Sequence, residues 1–431
     1  MATRTWIGNA NPVAQIDTIT VANTWATSDI CKITVISKDL VVTVGSLTTT
    51  AQVAATIYEA IENITLTDAS ASVTPILGKL EFPELAEVTA TVSGSVVTLE
   101  ANTAGRPFTV SVTETTAGNG TATEATATAA TGPNHFNNAD NWTGATVPSS
   151  LDTIHFNQSA RSDLLYGLST GLGTLTMFVQ GFTHHVGLSA INRGDPGNPY
   201  REYRETHLTT TSSSAITIDS NSTQSGRIFF AGASLTMNIN ATGQDLPGGE
   251  PSVQLVASSG VNGHLRAGHV GIGYRSEDTT VFDAFEVQGG RLTFGAGNTP
   301  GSSAAITQRS GDITLDAAVA TSVNIALVVS GGTLLANGGK FSTITVEGGK
   351  LVFNTIATSG AAVTLRGDGE LDFTHQPDTI TFPTIERFTD ESIVRDPHKR
   401  ISSLVIDNNG CSDTSNLFIG QDCRITRGAT S

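Results

Sequence analysis

The amino-acid sequence predicts a mainly β fold, in which a right-handed parallel β-helix (a β-solenoid) follows a small α+β domain. Its composition favours short strands and tight turns, because 44 of the 431 residues are glycine and only 6% are aromatic. A repeat of about 20 residues indicates stacked coils, and one stretch with helical spacing marks a separate unit near the N-terminus. A chain of this length is expected to hold two or three domains.

The N-terminal part is expected to comprise an arm over residues 1–12 and an α+β domain over residues 13–116. Alternating apolar residues predict a hairpin from Cys31 to Val44 and further strands from Glu87 to Leu99 and from Phe108 to Glu114. One amphipathic helix lies between them, since apolar residues recur at spacings of four and three after a run of threonines that can cap it. The apolar positions are Val53, Ile57, Ile61 and Ile64, and the capping candidates are Thr48, Thr49 and Thr50. The predicted order is ββαββ.

A linker and a capping segment are expected to follow this domain. Residues 117–133 are almost all Thr, Ala and Gly, which is too little bulk for a core, and they predict a linker or an extended connecting strand. The next residues include Phe136, Trp142 and Phe156, which could cap the open end of a solenoid. Because rod ends are also natural assembly surfaces, Trp142 is a candidate contact for a partner. Trp6, on the predicted N-terminal arm, is a further candidate contact.

The repeat is clearest between residues 285 and 373, where five units each consist of a strand, a glycine turn and a strand. Their aligned apolar residues are Leu292, Ile313, Leu334, Leu351 and Leu371, at intervals of 21, 21, 17 and 20 residues. One coil of short strands cannot bury its inward face alone, whereas stacked coils hydrogen-bond to their neighbours at about 4.8 Å per coil. With fainter units upstream, the β-helix and its capping segment are assigned to residues 134–384, with roughly ten coils.

Two further segments interrupt or end the repeat. The insertion loop over residues 192–207 concentrates the residue types that dominate interface energetics, and it is the leading candidate for partner contacts. These candidates are Tyr200, Arg201, Tyr203 and Arg204. An ordered insertion that packs on its own coil is an equal alternative. Residues 385–431 are irregular and predict a C-terminal cap or assembly segment.

Charge and apolar content exclude several partners. The formal net charge is −16 and no basic stripe is present, so nucleic acid is not an expected partner. No apolar run approaches the ~18 residues of a membrane span, and the start lacks the apolar region of a signal peptide. We therefore expect a soluble protein made in a cytoplasm, without membrane insertion. The three cysteines do not predict a disulfide framework, although Cys411 and Cys423 are close enough to pair if oxidised.

No set of residues in the sequence predicts catalysis, a cofactor or a metal site. Stacking places residues such as Asp312 and Thr333 side by side, but acids do not recur on one face as a polysaccharide-cleaving site would require. The histidine pairs lack Cys, His or acidic partners at the spacing of a zinc site. The sequence therefore predicts a non-enzymatic protein.

The layout resembles a group of phage and prophage virion proteins. The resemblance covers most of the chain and rests on four short motifs. These are Thr5-Trp6-Ile7-Gly8, the segment from Ala101 to Val110, Gly132-Pro133-Asn134, and Asn141-Trp142-Thr143 before Val147-Pro148. The Asn-Trp element also resembles the start of β-helical passenger domains in bacterial surface adhesins.

The resemblance implies a virion structural protein that is assembled in the host cytoplasm and carries a β-helix as a homotrimer. It implies that the N-terminal module anchors the protein to the major capsid protein or to another virion protein, and it implies no catalytic residues. A capsid decoration or head-fibre role is favoured, because the sequence shows no glycosidase-like groove of carboxylates. The alternatives are a tail fibre, tailspike or adhesin that binds host surface glycans, and a polysaccharide depolymerase.

Overall fold

The structure, a computed structural model, describes residues 2–75, 82–117, 119–187, 206–219, 226–275, 278–316, 324–354, 362–402, 404–420 and 424–427. Strands make up 49% of it and helices 6%, and a β-solenoid of about 11 turns spans residues 153–426. A smaller, β-rich unit that contains the α-helix lies N-terminal to the solenoid. The predicted fold class is therefore confirmed.

The first strand and the N-terminal unit have the following bounds. They are β1 (Thr3–Thr5), β2 (Ile16–Ala22), β3 (Ile30–Val35), β4 (Lys38–Thr43), α1 (Thr50–Glu62), β5 (Ser72–Thr74), β6 (Val88–Ser93), β7 (Val96–Ala101), β8 (Val110–Thr115) and β9 (Thr121–Thr128). Short 3-10 turns lie at Pro83–Glu87 and Ala139–Asn141.

The strands of the solenoid follow in chain order. They are β10 (Thr153–Asn157), β11 (Thr176–Gln180), β12 (Leu208–Thr209), β13 (Ser214–Asp219), β14 (Ile228–Ala241), β15 (Val253–Leu265), β16 (His269–Ile272), β17 (Thr280–Val287), β18 (Arg291–Phe294), β19 (Asn298–Gln308), β20 (Asp312–Leu315), β21 (Ile325–Val329), β22 (Thr333–Ala336), β23 (Phe341–Val346), β24 (Lys350–Phe353), β25 (Ala362–Leu365), β26 (Glu370–Asp372), β27 (Ile380–Thr381), β28 (Ile385–Arg387), β29 (Ile393–Asp396), β30 (Ile401–Ser402), β31 (Val405–Asn408), β32 (Leu417–Ile419) and β33 (Arg424–Arg427).

The solenoid is built from parallel pairings between strands of successive coils, among them β18 with β20 and β20 with β22. The five apolar residues that the repeat aligned lie in one column and are all buried. They are Leu292, Ile313, Leu334, Leu351 and Leu371. The register predicted from the repeat is confirmed at these positions, because inward-facing residues one period apart must stack in a parallel coil.

The repeat turns require glycine for two separate reasons. Gly290 and Gly311 have φ angles of +77° and +81°, a conformation that residues with a Cβ rarely adopt. A Cβ at Gly311 would also collide with the carbonyl oxygen of Gly290 in the preceding coil. That oxygen accepts a hydrogen bond from the amide of Asp312 at 2.8 Å. The missing side chain thus lets adjacent turns approach closely enough to hydrogen-bond.

The solenoid continues through the region that was assigned to a C-terminal cap. Strand β28 pairs with β25, and β29, β31, β32 and β33 extend the two strand columns. The boundary predicted at residue 384 is therefore corrected to about residue 426. These coils lack the double-glycine turn, and buried Arg387 supports them instead by donating to the carbonyl oxygens of Asp390 and Asp413, at 2.7 and 2.6 Å.

The N-terminal unit, residues 13–131, is called the module and packs α1 against two four-stranded antiparallel sheets. One sheet has the order β6-β7-β2-β9 and the other β5-β4-β3-β8. The predicted hairpin is present as β3 and β4. The predicted helix is also present, with Thr49 as its N-cap, because the hydroxyl of Thr49 accepts the amide of Gln52 and the Gln52 side chain accepts the amide of Thr49.

The module contains more strands than the predicted ββαββ order. The segment from Glu87 to Leu99, predicted as one strand, includes the hairpin of β6 and β7, which turns at Gly94 with a φ of +58°. Residues 117–133, predicted as a linker or connecting strand, contain β9, which pairs along the whole of β2. Threonine and alanine are small, but here they cover the edge of a sheet whose core is supplied by other strands.

The N-terminal arm is part of the solenoid. Strand β1 pairs in parallel with β10, so that Thr3 lies beside Thr153. The chain then leaves the solenoid, forms the module and returns through a neck at which Val13 and Thr131 pair. The prediction of a separate arm over residues 1–12 is corrected, since the module is an insertion between the first strand of the solenoid and the rest of it.

Candidate functional site

Trp6 and Trp142, predicted as partner contacts, are buried where the module joins the solenoid. They are 0% and 1% exposed, with ring centroids 5.1 Å apart in an edge-to-face arrangement. The indole N–H of Trp6 donates to the carbonyl oxygen of Ser162 at 2.9 Å, and that of Trp142 donates to Phe136 at 2.7 Å. Neither ring is available to a partner. Trp142 instead packs with Phe136 and Phe156, as expected of a capping segment.

The side chain of Asn141 is fully buried at this junction and forms three hydrogen bonds there. Its Nδ2 donates to the carbonyl oxygens of Gly132 and His135, both at 2.8 Å, and its Oδ1 accepts the amide of Ala10 at 2.8 Å. The ring Nε2 of His135 lies 2.9 Å from the carbonyl oxygen of Gly105 in the module. Because buried amides are costly to leave unpaired, this network fixes the module on the end of the solenoid.

The four loop candidates, Tyr200, Arg201, Tyr203 and Arg204, lie outside the described residues, and their role as partner contacts stays a prediction. His207, the last residue of the predicted loop, is described and stacks on the buried ring of Phe229, with centroids 5.3 Å apart. The guanidinium carbons of Arg227 and Arg275 lie 4.5 and 4.7 Å from the centroid of the same ring. These cation–π and stacking contacts form a cluster around Phe229 on the solenoid.

A groove of about 710 Å³ crosses strands β15, β17 and β19 on the outside of the solenoid. It lies where the strands carry bulges, since the register shifts between Val261 and Gly263 and between Phe282 and Ala284. The extra residues separate the strand faces and leave a concave surface. Polar side chains on its lining include Ser259, Asn262, His264, Asp283, Ser302 and Ser303. We call it the bulge groove.

Asp283 is placed in the bulge groove by two glycines. A Cβ at Gly260 would collide with Oδ2 of Asp283, and a Cβ at Gly301 would collide with Oδ1. The carboxylate thus lies between the backbones of the preceding and the following coil. It is partly buried, and within the part of the chain that the structure describes it has no hydrogen-bond or ion-pair partner. Its oxygens are not among the fully buried atoms that lack a partner, so they remain accessible and can accept hydrogen bonds from a ligand.

Glu286 is the second carboxylate on the lining of the groove, and its bonds suit it to binding rather than to acid catalysis. Its Oε1 accepts from Nε of Arg309 at 2.6 Å and from Gln288 at 3.1 Å, and His264 lies 3.2 Å from its Oε2. These interactions, the Arg309 hydrogen bond first, lower the pKa of Glu286. Glycoside hydrolysis needs a carboxylic acid with a raised pKa, which Glu286 does not offer.

A second cluster on the solenoid joins Asp245, His269 and Thr293 in a chain of hydrogen bonds. The ring Nδ1 of His269 lies 3.0 Å from Oδ1 of Asp245, and its Nε2 lies 3.0 Å from the hydroxyl of Thr293 in the next coil. Burial, as the largest cause, lowers the pKa of His269 in spite of the neighbouring Asp245. In the neutral ring the Nδ1–H then donates to Asp245 and Nε2 accepts from Thr293. These hydrogen bonds therefore hold Asp245 against His269 and, through His269, against Thr293 in the next coil.

This cluster predicts a stability that depends on pH. The pKa of His269 is lower in the folded protein than its ordinary value of 6.5, which applies to the unfolded chain. Between these two values the unfolded chain binds a proton that the folded protein does not. The contribution of His269 to the free energy of unfolding is therefore fully present above pH 6.5 and decreases as the pH falls below it. One such group gives a slope of up to about 1.4 kcal/mol per pH unit. We expect the difference in free energy of unfolding between wild type and His269→Gln to shrink from pH 7.5 to pH 5, as measured by urea unfolding.

The control for this prediction is His398→Gln, because His398 is exposed and its removal also deletes one imidazole. A difference between wild type and His269→Gln that stays constant with pH would contradict the assignment of a neutral, buried imidazole at position 269.

Three further findings concern the described part of the chain. It contains no helix that is both long and apolar enough to cross a membrane, and no group of three or more His, Cys, Asp and Glu side chains gathered to hold a metal ion. Cys411 is buried, and its Sγ lies 3.4 Å from the carbonyl oxygen of Arg387. Cys423 lies outside the described residues, so the pairing of these two cysteines stays a prediction.

The fold and the junction define the class of protein: a β-solenoid with an α+β module inserted after its first strand. Comparisons with protein-family models, with curated proteins and with solved structures found no match to this chain. The bulge groove and the Asp245, His269 and Thr293 chain were both missed at the sequence level. Their residues are far apart in sequence and come together only through the stacking of coils.

Proposed function

We propose that this chain is a non-enzymatic structural protein of a bacteriophage virion, of the capsid decoration or head-fibre type. In this proposal the protein binds the major capsid protein or another virion protein and projects its solenoid from the particle. The observation that carries the proposal is the insertion of the module into the first coil through the neck of Val13 and Thr131.

An inserted module is held differently from one on a single linker. Two chain connections, the edge-to-face pair of Trp6 and Trp142 and the buried amide of Asn141 all restrain it against the solenoid. Domains joined by one linker move relative to each other by default unless a large interface holds them. A rod that must project from a shell in a defined direction needs such a restraint, and this supports the assignment of an anchoring module.

The other end of the solenoid offers a second assembly surface. Among the described residues no strand pairs with the outer edges of β32 and β33, and the side chains of Phe418 and Ile425 on these strands are 46% and 42% exposed. Open strand edges with exposed apolar residues favour association. Stacking or trimerisation at this end would remove both features from water.

The copy number in purified particles tests the proposal. We expect quantitative mass spectrometry of virions to find this chain at a copy number comparable to that of the major capsid protein, and immunogold labelling to place it on the shell. Only a few copies per particle, confined to the tail, would favour the alternative of a tail fibre or tailspike. Absence from particles, with display on a bacterial surface, would favour an adhesin.

The predicted trimer is tested by the mass in solution. The chain has a mass of 44.6 kDa, and we expect light scattering after size exclusion to give three times this value. Phe418→Ser paired with Ile425→Ser should lower the mass to that of one chain if the C-terminal edge forms the interface. The exposed Phe178→Ser is the matched control, because Phe178 lies near the other end of the solenoid. A wild type that runs as a single chain at all concentrations would contradict the trimer.

A further inference from the structure

We propose that the bulge groove binds a neutral saccharide chain, with the carboxylate of Asp283 accepting hydrogen bonds from two neighbouring sugar hydroxyls. This site lies on the side of the solenoid, between its ends, and it does not depend on where the protein is anchored. It adds a ligand-binding activity to the structural role proposed above.

The hydrogen-bonding groups of the groove match those of a sugar. Each sugar hydroxyl both donates and accepts, and the lining offers both kinds of group through the hydroxyls of Ser259 and Ser302 and the amide of Asn262. Asp283 adds a pair of acceptor oxygens without a partner among the described residues, held in place by the backbones of two adjacent coils. A carboxylate with two free oxygens suits a pair of hydroxyls on adjacent carbons.

The shape of the groove suits a chain rather than a compact ligand. It crosses three coils, and its volume lies within the range of about 300–1,000 Å³ found for small-molecule sites. Small residues such as Gly263, Ala284 and Ala305 line it, which lets a ligand approach the strand backbones closely. Ala284 follows Asp283 in the chain, is exposed and also lines the groove, so a larger side chain at this position would occupy space that a ligand needs.

The charges favour a neutral ligand over an acidic one. Glu286 is offset by Arg309, whose Nε donates to it at 2.6 Å. The carboxylate of Asp283 is left without an ion pair among the described residues, in a chain with a formal net charge of −16. A uronic or sialic acid placed there would bring a second negative charge to a partly buried carboxylate, which is unfavourable. A cationic peptide would satisfy Asp283, but its Arg and Lys side chains only donate, whereas every sugar hydroxyl can both donate to and accept from the hydroxyls and the amide around Asp283.

The test uses the full chain on an array of neutral, acidic and amino oligosaccharides, with a hexa-arginine peptide as the competing class of ligand. Any neutral oligosaccharide that binds is then titrated by saturation-transfer difference NMR. We expect at least one neutral oligosaccharide to bind wild type. We expect Asp283→Asn to weaken it by about tenfold or more, as for the loss of a charged hydrogen-bond partner, and Ala284→Trp to abolish binding by filling the groove.

Two matched variants control for changes elsewhere. Asp312→Asn removes an exposed carboxylate from the other strand column, which contains β18, β20 and β22. Thr343→Trp adds an indole at an exposed position of the same strand column as the groove, beyond the groove. Both should bind like wild type, and thermal unfolding followed by circular dichroism should show all four variants folded. The proposal is overturned if no neutral oligosaccharide binds, if Asp283→Asn and Ala284→Trp bind as wild type does, or if only the peptide binds.

Release of new reducing ends from a bound oligosaccharide would keep the site but change its role to that of a depolymerase. That result would overturn the proposed non-enzymatic function and leave the binding proposal standing. Loss of binding in the groove variants, with normal incorporation into particles, would leave the structural proposal standing. The two proposals therefore fail separately.

Discussion

Gly311→Ala is expected to lower the free energy of unfolding of the solenoid by about 2–5 kcal/mol. The φ of +81° costs a residue with a Cβ about 1–2 kcal/mol. The Cβ also meets the carbonyl oxygen of Gly290, a backbone atom that cannot rotate away, and the displacement this forces should add about 1–3 kcal/mol. Urea unfolding followed by circular dichroism measures the loss.

Gly410→Ala separates the two contributions to this loss. Gly410 has a φ of +87°, but nothing lies within 4 Å of a Cβ built on it. We therefore expect only the conformational cost of about 1–2 kcal/mol at this site. If the two variants lose the same free energy, the close approach between adjacent turns does not contribute, and the explanation given for the glycine repeat is wrong.

Trp6→Ala is expected to destabilise the junction by about 3–5 kcal/mol, the usual cost of deleting a large buried ring. It removes the edge-to-face contact with Trp142 and leaves the carbonyl oxygen of Ser162 without its donor. The module has its own hydrophobic core, which contains Trp25. We therefore expect the first coil to unfold at a lower urea concentration while the module keeps its transition.

Tryptophan fluorescence distinguishes these two events, because Trp6, Trp25 and Trp142 are the three tryptophans of the chain. In a Trp25→Phe background the emission reports on the junction alone, and in the Trp6→Ala and Trp142→Phe double variant it reports on the module. Trp25→Ala is the control, since it should destabilise the module first. A single transition shared by all variants would show that module and solenoid unfold as one unit.

The repeating coils of the solenoid could be predicted from the sequence. The column from Leu292 to Leu371 and the glycine turns between its strands follow from local patterning, which stacking then reinforces. Beyond Phe373 the double-glycine turn no longer recurs, and buried Arg387 supports these coils through hydrogen bonds that no periodicity reveals. The solenoid therefore extends further than its sequence signature.

The errors at the N-terminus have a different physical cause. Strand β1 is three residues long, and what makes it a strand is pairing with β10, so that only tertiary contact defines it. The turn at Gly94 was missed because apolar alternation continues on both of its sides. Trp142 was correctly placed at an end of the solenoid, but Trp6 was assigned to a separate arm and both were wrongly predicted to contact a partner. Their burial depends on each other across a gap of more than a hundred residues.

The bulge groove had no signal that a single sequence could show. Asp283 lies in a plain strand pattern, and its setting depends on Gly260 in the coil before it and Gly301 in the coil after it. The bulges that open the groove also break the regular spacing on which alignment of the repeats depends. The features that create the groove are thus the ones that hide it from a search for repeats.

The insertion of the module after β1 also affects how the chain folds during translation. Ala2 bonds to Asp152 over a separation of 150 residues, so at 5–20 residues per second the ribosome needs about 8–30 s to make the partner of the first strand. The module is complete well before then. Once Val13 and Thr131 pair at the neck, the loop that β1 must close shortens from about 150 to about 30 residues, and its entropic cost falls accordingly. A folded module thus shortens the loop that the first coil must close, and later coils can then add in the order of their synthesis.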